Sequence, residues 1–144
     1  MTVDVLLPYY GDVTMMKQAV ESVLGQTSPD WTLTIIDDGY PDLSLPDYFG
    51  MLAARDPRIT YVLNDHNLGA NGNYRKSLSF VRNELAVVMG ADDVMLKNYI
   101  DSVVVAHLKS HPPPTTMHSV PVSDPIPSAS MGSSLRITGH QVAC

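Results

Sequence analysis

The chain has 144 residues, the size of one domain or part of a larger one, which excludes a second full substrate domain. Hydrophobic residues make up 44% and charged residues 17%, enough apolar side chains for a core along most of the length and incompatible with disorder throughout. Nine Lys plus Arg against fifteen Asp plus Glu give a net charge of −6, which argues against a broadly basic surface, and no nucleic-acid partner is expected.

Short β-branched runs alternate with segments of helical spacing, the pattern of an α/β protein with a mostly parallel sheet flanked by helices. Val3 to Leu7 reads as the first strand, stopped by Pro8, which has no N–H to give a ladder, before Tyr9-Tyr10-Gly11 turn the chain. Asp12 stands at a helix N-cap position, and Met15, Met16, Ala19, Val20, Val23 and Leu24 follow on one face up to Gly25. Trp31 to Ile36 is the second strand and runs into Asp37-Asp38-Gly39. Tyr48 to Arg55 is a weaker helix containing Gly50, and Ile59 to Leu63 is the third strand. From Asn64 to Asn73, four Asn and two Gly suit a loop that visits positive φ and offers amides to a ligand. Tyr74 to Arg82 is expected to be helical, Leu85 to Met89 a fourth strand followed by Gly90-Ala91-Asp92-Asp93, and Leu96 to His107 a fourth helix.

After Ser110 the character changes, with six prolines between His111 and Ser130. Residues 1–110 are therefore expected to form the folded unit and 111–144 an irregular proline-rich tail, with a short strand at Met117 to Val122. The single cysteine, Cys144, cannot form an intramolecular disulfide, and the five histidines lack metal-ligand spacing. No apolar run approaches the roughly 20 residues of a membrane span, and Met1-Thr2-Val3-Asp4 lacks the basic start of a secretory signal, so a cytoplasmic location is the expectation.

In an open parallel sheet, ligands bind at the carboxyl ends of the strands. Four polar clusters fall at that edge: Pro8-Tyr9-Tyr10, Asp37-Asp38-Gly39, Asn64 to Asn73, and Asp92-Asp93. Adjacent carboxylates such as Asp92 and Asp93 repel one another unless a cation compensates, and Mg²⁺ or Mn²⁺ often takes only one or two protein carboxylates, with water and phosphate oxygens completing the shell. The alternative is that the pair caps the helix beginning near Leu96. Asp37-Asp38-Gly39 can offer a carboxylate to a base or sugar, or be an ordinary turn. Arg75 and Lys76 can offset phosphate charge or be merely solvated, and Tyr9 and Tyr10 can stack on a nucleobase or serve as strand-end packing.

The blocks Val3 to Tyr10, Ala19 to Thr27, Ile35 to Gly39, Asn67-Leu68-Gly69 and Gly90 to Asp93 resemble, in order and spacing, the nucleotide-sugar-binding half of family 2 glycosyltransferases, over about residues 3 to 108. The resemblance implies a GT-A, Rossmann-like fold and an enzyme that moves a sugar from a nucleotide-diphospho-sugar to an acceptor hydroxyl, using Mg²⁺ or Mn²⁺. It implies that Pro8, Tyr9 and Tyr10 line the nucleotide site, that Asp38 contacts the base, and that Asn67, Gly69 and Arg75 belong to the donor site. Asp93 would be the metal ligand, and Asp92 its ribose-side or water-mediated partner. Many relatives carry a further acid where Gly90 stands, so this is the shorter, two-acid version of the motif.

Family members invert the anomeric centre with a carboxylate base lying well beyond the metal motif. Here the proline-rich tail follows instead, and Asp124 sits in no recognisable base motif. The chain is therefore expected to be truncated, to lack its catalytic base, and to transfer sugar poorly by itself. The acceptor, whether polysaccharide, lipid or protein glycan, is undefined, and peripheral membrane association is expected of a full-length parent. Two rival readings are a non-catalytic donor-binding or vestigial fragment and a phospho-acceptor receiver domain; the second requires an acid pair after the first strand, where Pro8-Tyr9-Tyr10 stands.

Overall fold

A computed structural model describes residues 1–42 and 44–111, together with the backbone of residues 141–143. Five parallel strands, β1 (Val3–Tyr9), β2 (Trp31–Asp37), β3 (Ile59–Leu63), β4 (Leu85–Val88) and β5 (Gln141–Ala143), form one sheet in the order β3-β2-β1-β4-β5. The helices are α1 (Val13–Leu24), α2 (Ser44–Arg55), α3 (Gly69–Leu78) and α4 (Tyr99–Ser110). Val3, Val5, Leu7 and Tyr9 point to one face of the sheet, where they share a core with Met16, Ala19, Val20 and Val23 of α1, Leu45 and Phe49 of α2, and Ile100 of α4. The opposite face carries α3 against β1 and β2. Covered on both sides, β1 is buried from Val3 to Leu7, which is why its sequence reads as an unbroken apolar run apart from Asp4.

Asp12 caps α1 as expected, its Oδ1 accepting from Thr14 N at 2.7 Å and Met15 N at 3.0 Å. Other boundaries move, each for a local reason. β1 continues through Pro8 to Tyr9 because Tyr9 O still accepts from Asp38 N on the β2 side. The missing N–H of Pro8 faces the other side, beyond the last β4 pairing at Leu6 and Val88. α2 starts at Ser44 rather than Tyr48, with the Asp42 carboxylate accepting from the Ser44 N–H at 2.9 Å. α3 replaces the expected loop up to Asn73 and ends at Leu78 instead of Arg82. Its Gly- and Asn-rich start is held by buried Asn73 and Ser77, while the Arg82 and Asn83 N–H groups turn away to the Asp4 carboxylate at 2.7 Å each. α4 begins at Tyr99, three residues later than the apolar spacing suggests. The tail contributes β5, parallel to β4, where an irregular segment was expected; its backbone covers the N–H and C=O groups that the edge of β4 would otherwise leave unpaired. The expected strand at Met117 to Val122, and Asp124, lie outside the described residues. Among the described residues, no helix is long and apolar enough to cross a membrane.

Candidate functional site

The chain steps outward from β1 through β2 to β3 and then returns to place β4 on the other side of β1. Loops leaving β1 and β4 therefore diverge, and a crevice opens at the carboxyl ends of these neighbouring strands. A cleft of about 610 Å³ lies at the strand ends. It is lined by Pro8, Tyr9 and Tyr10 after β1, Asp38 after β2, Asn67 and Gly69 after β3, and Asp92 after β4. Residues far apart along the chain thus meet in one place.

Gly39 sets the turn after β2 with φ near +73°, a left-handed value that an L side chain adopts only with strain, so the backbone can fold back close to His66 and Asn67. The two acids before it have different roles. Asp37 is structural: Oδ1 accepts from Tyr40 N at 2.8 Å and Oδ2 from the Tyr61 hydroxyl at 2.7 Å. Asp38 is buried, and its Oδ1 accepts both from Leu68 N and from Asn64 Nδ2, each at 2.8 Å. Oδ2 of Asp38 has no hydrogen-bond partner among the described residues, and the residue lines the cleft. Asn64 is itself fixed by Lys76 Nζ at 2.7 Å and by Asn73 at 3.1 Å, and Asn73 donates to Ile36 O at 2.9 Å. The block is therefore a turn at Gly39 whose second acid is also braced from the segment that follows β3.

Tyr9 is buried, and its hydroxyl donates to Gly11 O at 2.7 Å. Burial first, then the neighbouring Tyr40 and Asp37, push its pKa well above the usual tyrosine value, and burial with the Asp37 hydrogen bond does the same for Tyr61. Tyr10 is 55% exposed and packs edge-on against Tyr40, with ring centroids 5.4 Å apart, leaving a ring presented at the cleft.

Asp92 and Asp93 do not cap α4. That helix starts six residues after Asp93, with Asn98 at its N-cap position. Both acids are exposed, and neither carboxylate has a hydrogen bond or ion pair among the described residues. Asp92 Oδ1 and Asp93 Oδ2 each lie 2.8 Å from the point a Cβ on Gly90 would occupy, so both oxygens pack close against Gly90 and a side chain there would displace them. Two hard oxygens beside one glycine match the donor preference of Mg²⁺ or Mn²⁺, with the other ligands supplied from elsewhere, since no group of three ligating side chains occurs among the described residues. Asp93 does not line the main cleft; it borders a smaller apolar cavity of about 300 Å³ with Met89, Val94, Leu96 and Tyr99.

Arg75 is exposed on α3 and lines neither cavity, while Lys76 is committed to Asn64. Because α3 begins at Gly69, its first turns bring Asn73 and Tyr74 to the wall of the cleft, and Tyr74 is a lining residue that the sequence reading did not single out. The amide-rich stretch was the available signal, but two of its four Asn, Asn64 and Asn73, face inward as scaffolding.

The model of the family described as Glycosyl transferase family 2 matches residues 4–127. The chain is 27% identical over 109 residues to the UDP-Glc:alpha-D-GlcNAc-diphosphoundecaprenol beta-1,3-glucosyltransferase WfgD of Escherichia coli, covering 76% of this chain and 42% of that one. Its fold is shared by Staphylococcus aureus TarS 1-349 in complex with UDP-GlcNAc, with a TM-score of 0.64, 18% identity, and coverage of 77% of this chain and 32% of that one. It is shared too by the mannosyltransferase PcManGT of Pyrobaculum calidifontis in complex with GDP-Man and Mn²⁺, with a TM-score of 0.62, 20% identity, and coverage of 78% and 33%. The chain spans less than half the length of each of these proteins.

Proposed function

We propose, from the premise that the chain belongs to glycosyl transferase family 2, that it forms the donor-binding half of a glycosyltransferase and holds a nucleoside-diphospho-sugar in the strand-end cleft. The observation that carries this reading is the meeting of Asp38 Oδ2 with Asp92 in one cleft, an open acceptor and an unpaired acid across the β1–β4 crevice. Asp38 Oδ2 accepts a base N–H, Tyr10 offers a ring face for stacking, and Asn67 and Gly69 close the side of the pocket. Asp92 and Asp93 would hold a divalent cation. When bound, that cation would offset the charge growing on the departing diphosphate. The bond made is from the acceptor oxygen to the anomeric carbon, the bond broken is from that carbon to the diphosphate, and the hydroxyl proton passes to a base.

That base is the part the described residues of this cleft do not supply. Among the described residues three carboxylates line it, and each is already committed elsewhere. Asp12 caps α1, Asp38 faces the base pocket, and Asp92 belongs to the cation pair. Donor binding without efficient transfer is the activity proposed for the 144-residue chain, and the acceptor class proposed is a polysaccharide, lipid or protein glycan. Calorimetric titration with UDP and GDP, with and without Mn²⁺, tests the reading. Metal-enhanced binding of at least one nucleotide is expected, and the enhancement is expected to vanish in Asp92→Asn and Asp93→Asn; failure of both nucleotides to bind would refute it.

A further inference from the structure

The ten residues from Met89 to Asn98 connect β4 to α4 with no regular structure and carry both unpaired acids. Among the described residues, the only backbone bonds made from within this connection to itself or to the start of α4 are Asp93 N to Gly90 O at 3.2 Å, Tyr99 N to Leu96 O at 2.9 Å and Ser102 N to Asn98 O at 3.0 Å, so its course is set from outside. Six hydrogen bonds reach it and the start of α4 from the end of α1 and the turn after it. Ser22 Oγ accepts from Met95 N at 2.9 Å. Gln26 Nε2 donates to Leu96 O at 2.7 Å, and Gln26 Oε1 accepts from Ile100 N at 3.1 Å. Thr27 donates to Lys97 O through its N–H at 2.8 Å and its hydroxyl at 3.0 Å, and that hydroxyl also meets Asp101 Oδ2 at 2.6 Å.

Gln26 is the centre of this clamp. Its second Nε2 hydrogen goes to Ser22 O at 3.1 Å, so the amide nitrogen faces two carbonyls and the amide oxygen one N–H, an orientation that cannot be reversed without setting oxygen against oxygen. It satisfies the Ile100 N–H, a first-turn group of α4 that the N-cap Asn98 leaves alone. By taking the backbone groups of residues 95–97, the clamp also explains why the helix starts only at Tyr99.

We propose that Gln26, with Thr27 beside it, is a positioning residue for the Asp92–Asp93 pair: it fixes the connection just downstream of the acids so that both carboxylates converge beside Gly90. The inference rests on the donor-binding reading and assigns no contact between Gln26 and the ligand.

The test is a Mn²⁺ titration of the full 144-residue chain, followed by electron paramagnetic resonance of free Mn²⁺, alongside UDP and GDP binding with and without metal. Gln26→Ala is expected to weaken Mn²⁺ binding by about tenfold, the usual scale for outer-shell partners of metal ligands, with metal-free nucleotide binding changed less than about twofold. Gln26→Glu is expected to behave alike, since it sets a carboxylate against two carbonyls. Thr27→Val, nearly isosteric and retaining the Thr27 N–H bond, guards against a misfolded Gln26 variant and should weaken Mn²⁺ binding measurably but less than the loss of the central amide. A general loss of structure would instead lower metal-free and metal-dependent nucleotide binding together, which overturns the inference. Folded Gln26→Ala and Thr27→Val variants that bind Mn²⁺ as the parent does also overturn it. Parent chain that binds nucleotide with no response to Mn²⁺ overturns it while leaving donor binding intact, and parent chain that binds neither nucleotide refutes both.

Discussion

Asp38 Oδ1 is saturated by two N–H donors, so whatever this side chain does for a ligand falls to Oδ2. Asp38→Asn keeps the shape but can turn an amide toward the cleft where an acceptor is needed. Nucleotide affinity is expected to fall by roughly tenfold or more, the scale of a hydrogen bond to a charged group, with calorimetry as the check. The neighbouring Gly39 makes a separate prediction. A Cβ there finds only ordinary contacts, the nearest at 3.5 Å, so the cost of Gly39→Ala is the left-handed backbone itself, about 1–2 kcal/mol by chemical denaturation. A loss near zero would mean the turn relaxes. At Gly90 the reasoning reverses, for no positive φ is involved, and a side chain there would instead displace the Asp92 and Asp93 oxygens.

Among the elements, β1 carries a charge in its buried run. Asp4 accepts from Thr32 Oγ1, from the Arg82 and Asn83 N–H groups and from Asn83 Nδ2, all at 2.7 Å, and so ties β1 to β2 and to the segment that follows α3. Burial alone would raise its pKa, but these four donors outweigh burial and lower it. A carboxyl whose pKa falls on folding adds stability that is fully present above its unfolded value of about 3.9 and lost as pH drops through the lower folded value. Asp4→Asn is therefore expected to cost roughly 2–3 kcal/mol near neutral pH, by facing an amide toward backbone N–H groups, and to flatten the acid limb of the stability curve. An acid limb as steep as the parent's would remove Asp4 from that role. Tyr9 and Tyr61 act at the other end. Their raised pKa values contribute stability present below the ordinary tyrosine value of about 10 and lost as pH rises beyond it, so stability is expected to fall at alkaline pH, less steeply in Tyr61→Phe.

For the molecule as a whole, a ligand that binds only the folded chain must stabilise it. At a nucleotide concentration of about 100 times Kd the gain is ~2.7 kcal/mol, a rise in Tm on the order of 10 °C for a domain of this size. With Mn²⁺ present the shift is expected to be largest, and EDTA should remove most of it. A shift indifferent to EDTA would take the Asp92–Asp93 pair out of donor binding. The same cleft brings together loops from four strand ends, so a Tm measurement reads the entire site and the single-residue variants divide it.

What the sequence by itself determined was everything written in local pattern: strand and helix alternation, the Asp12 cap, the third strand to the residue, and the placing of polar clusters at strand ends. Such features depend on side-chain periodicity and on capping chemistry within a few residues, and both are visible along a line. Only the tertiary structure decided that β4 crosses to the far side of β1 and opens the crevice, that Asn64, Asn73 and Lys76 brace Asp38, and that Arg75 faces solvent. It also decided that α3 begins at Gly69 and α4 waits until Tyr99. Those outcomes depend on partners tens of residues distant, where a backbone N–H or an amide takes whichever acceptor packing brings to it, and no local preference records that choice.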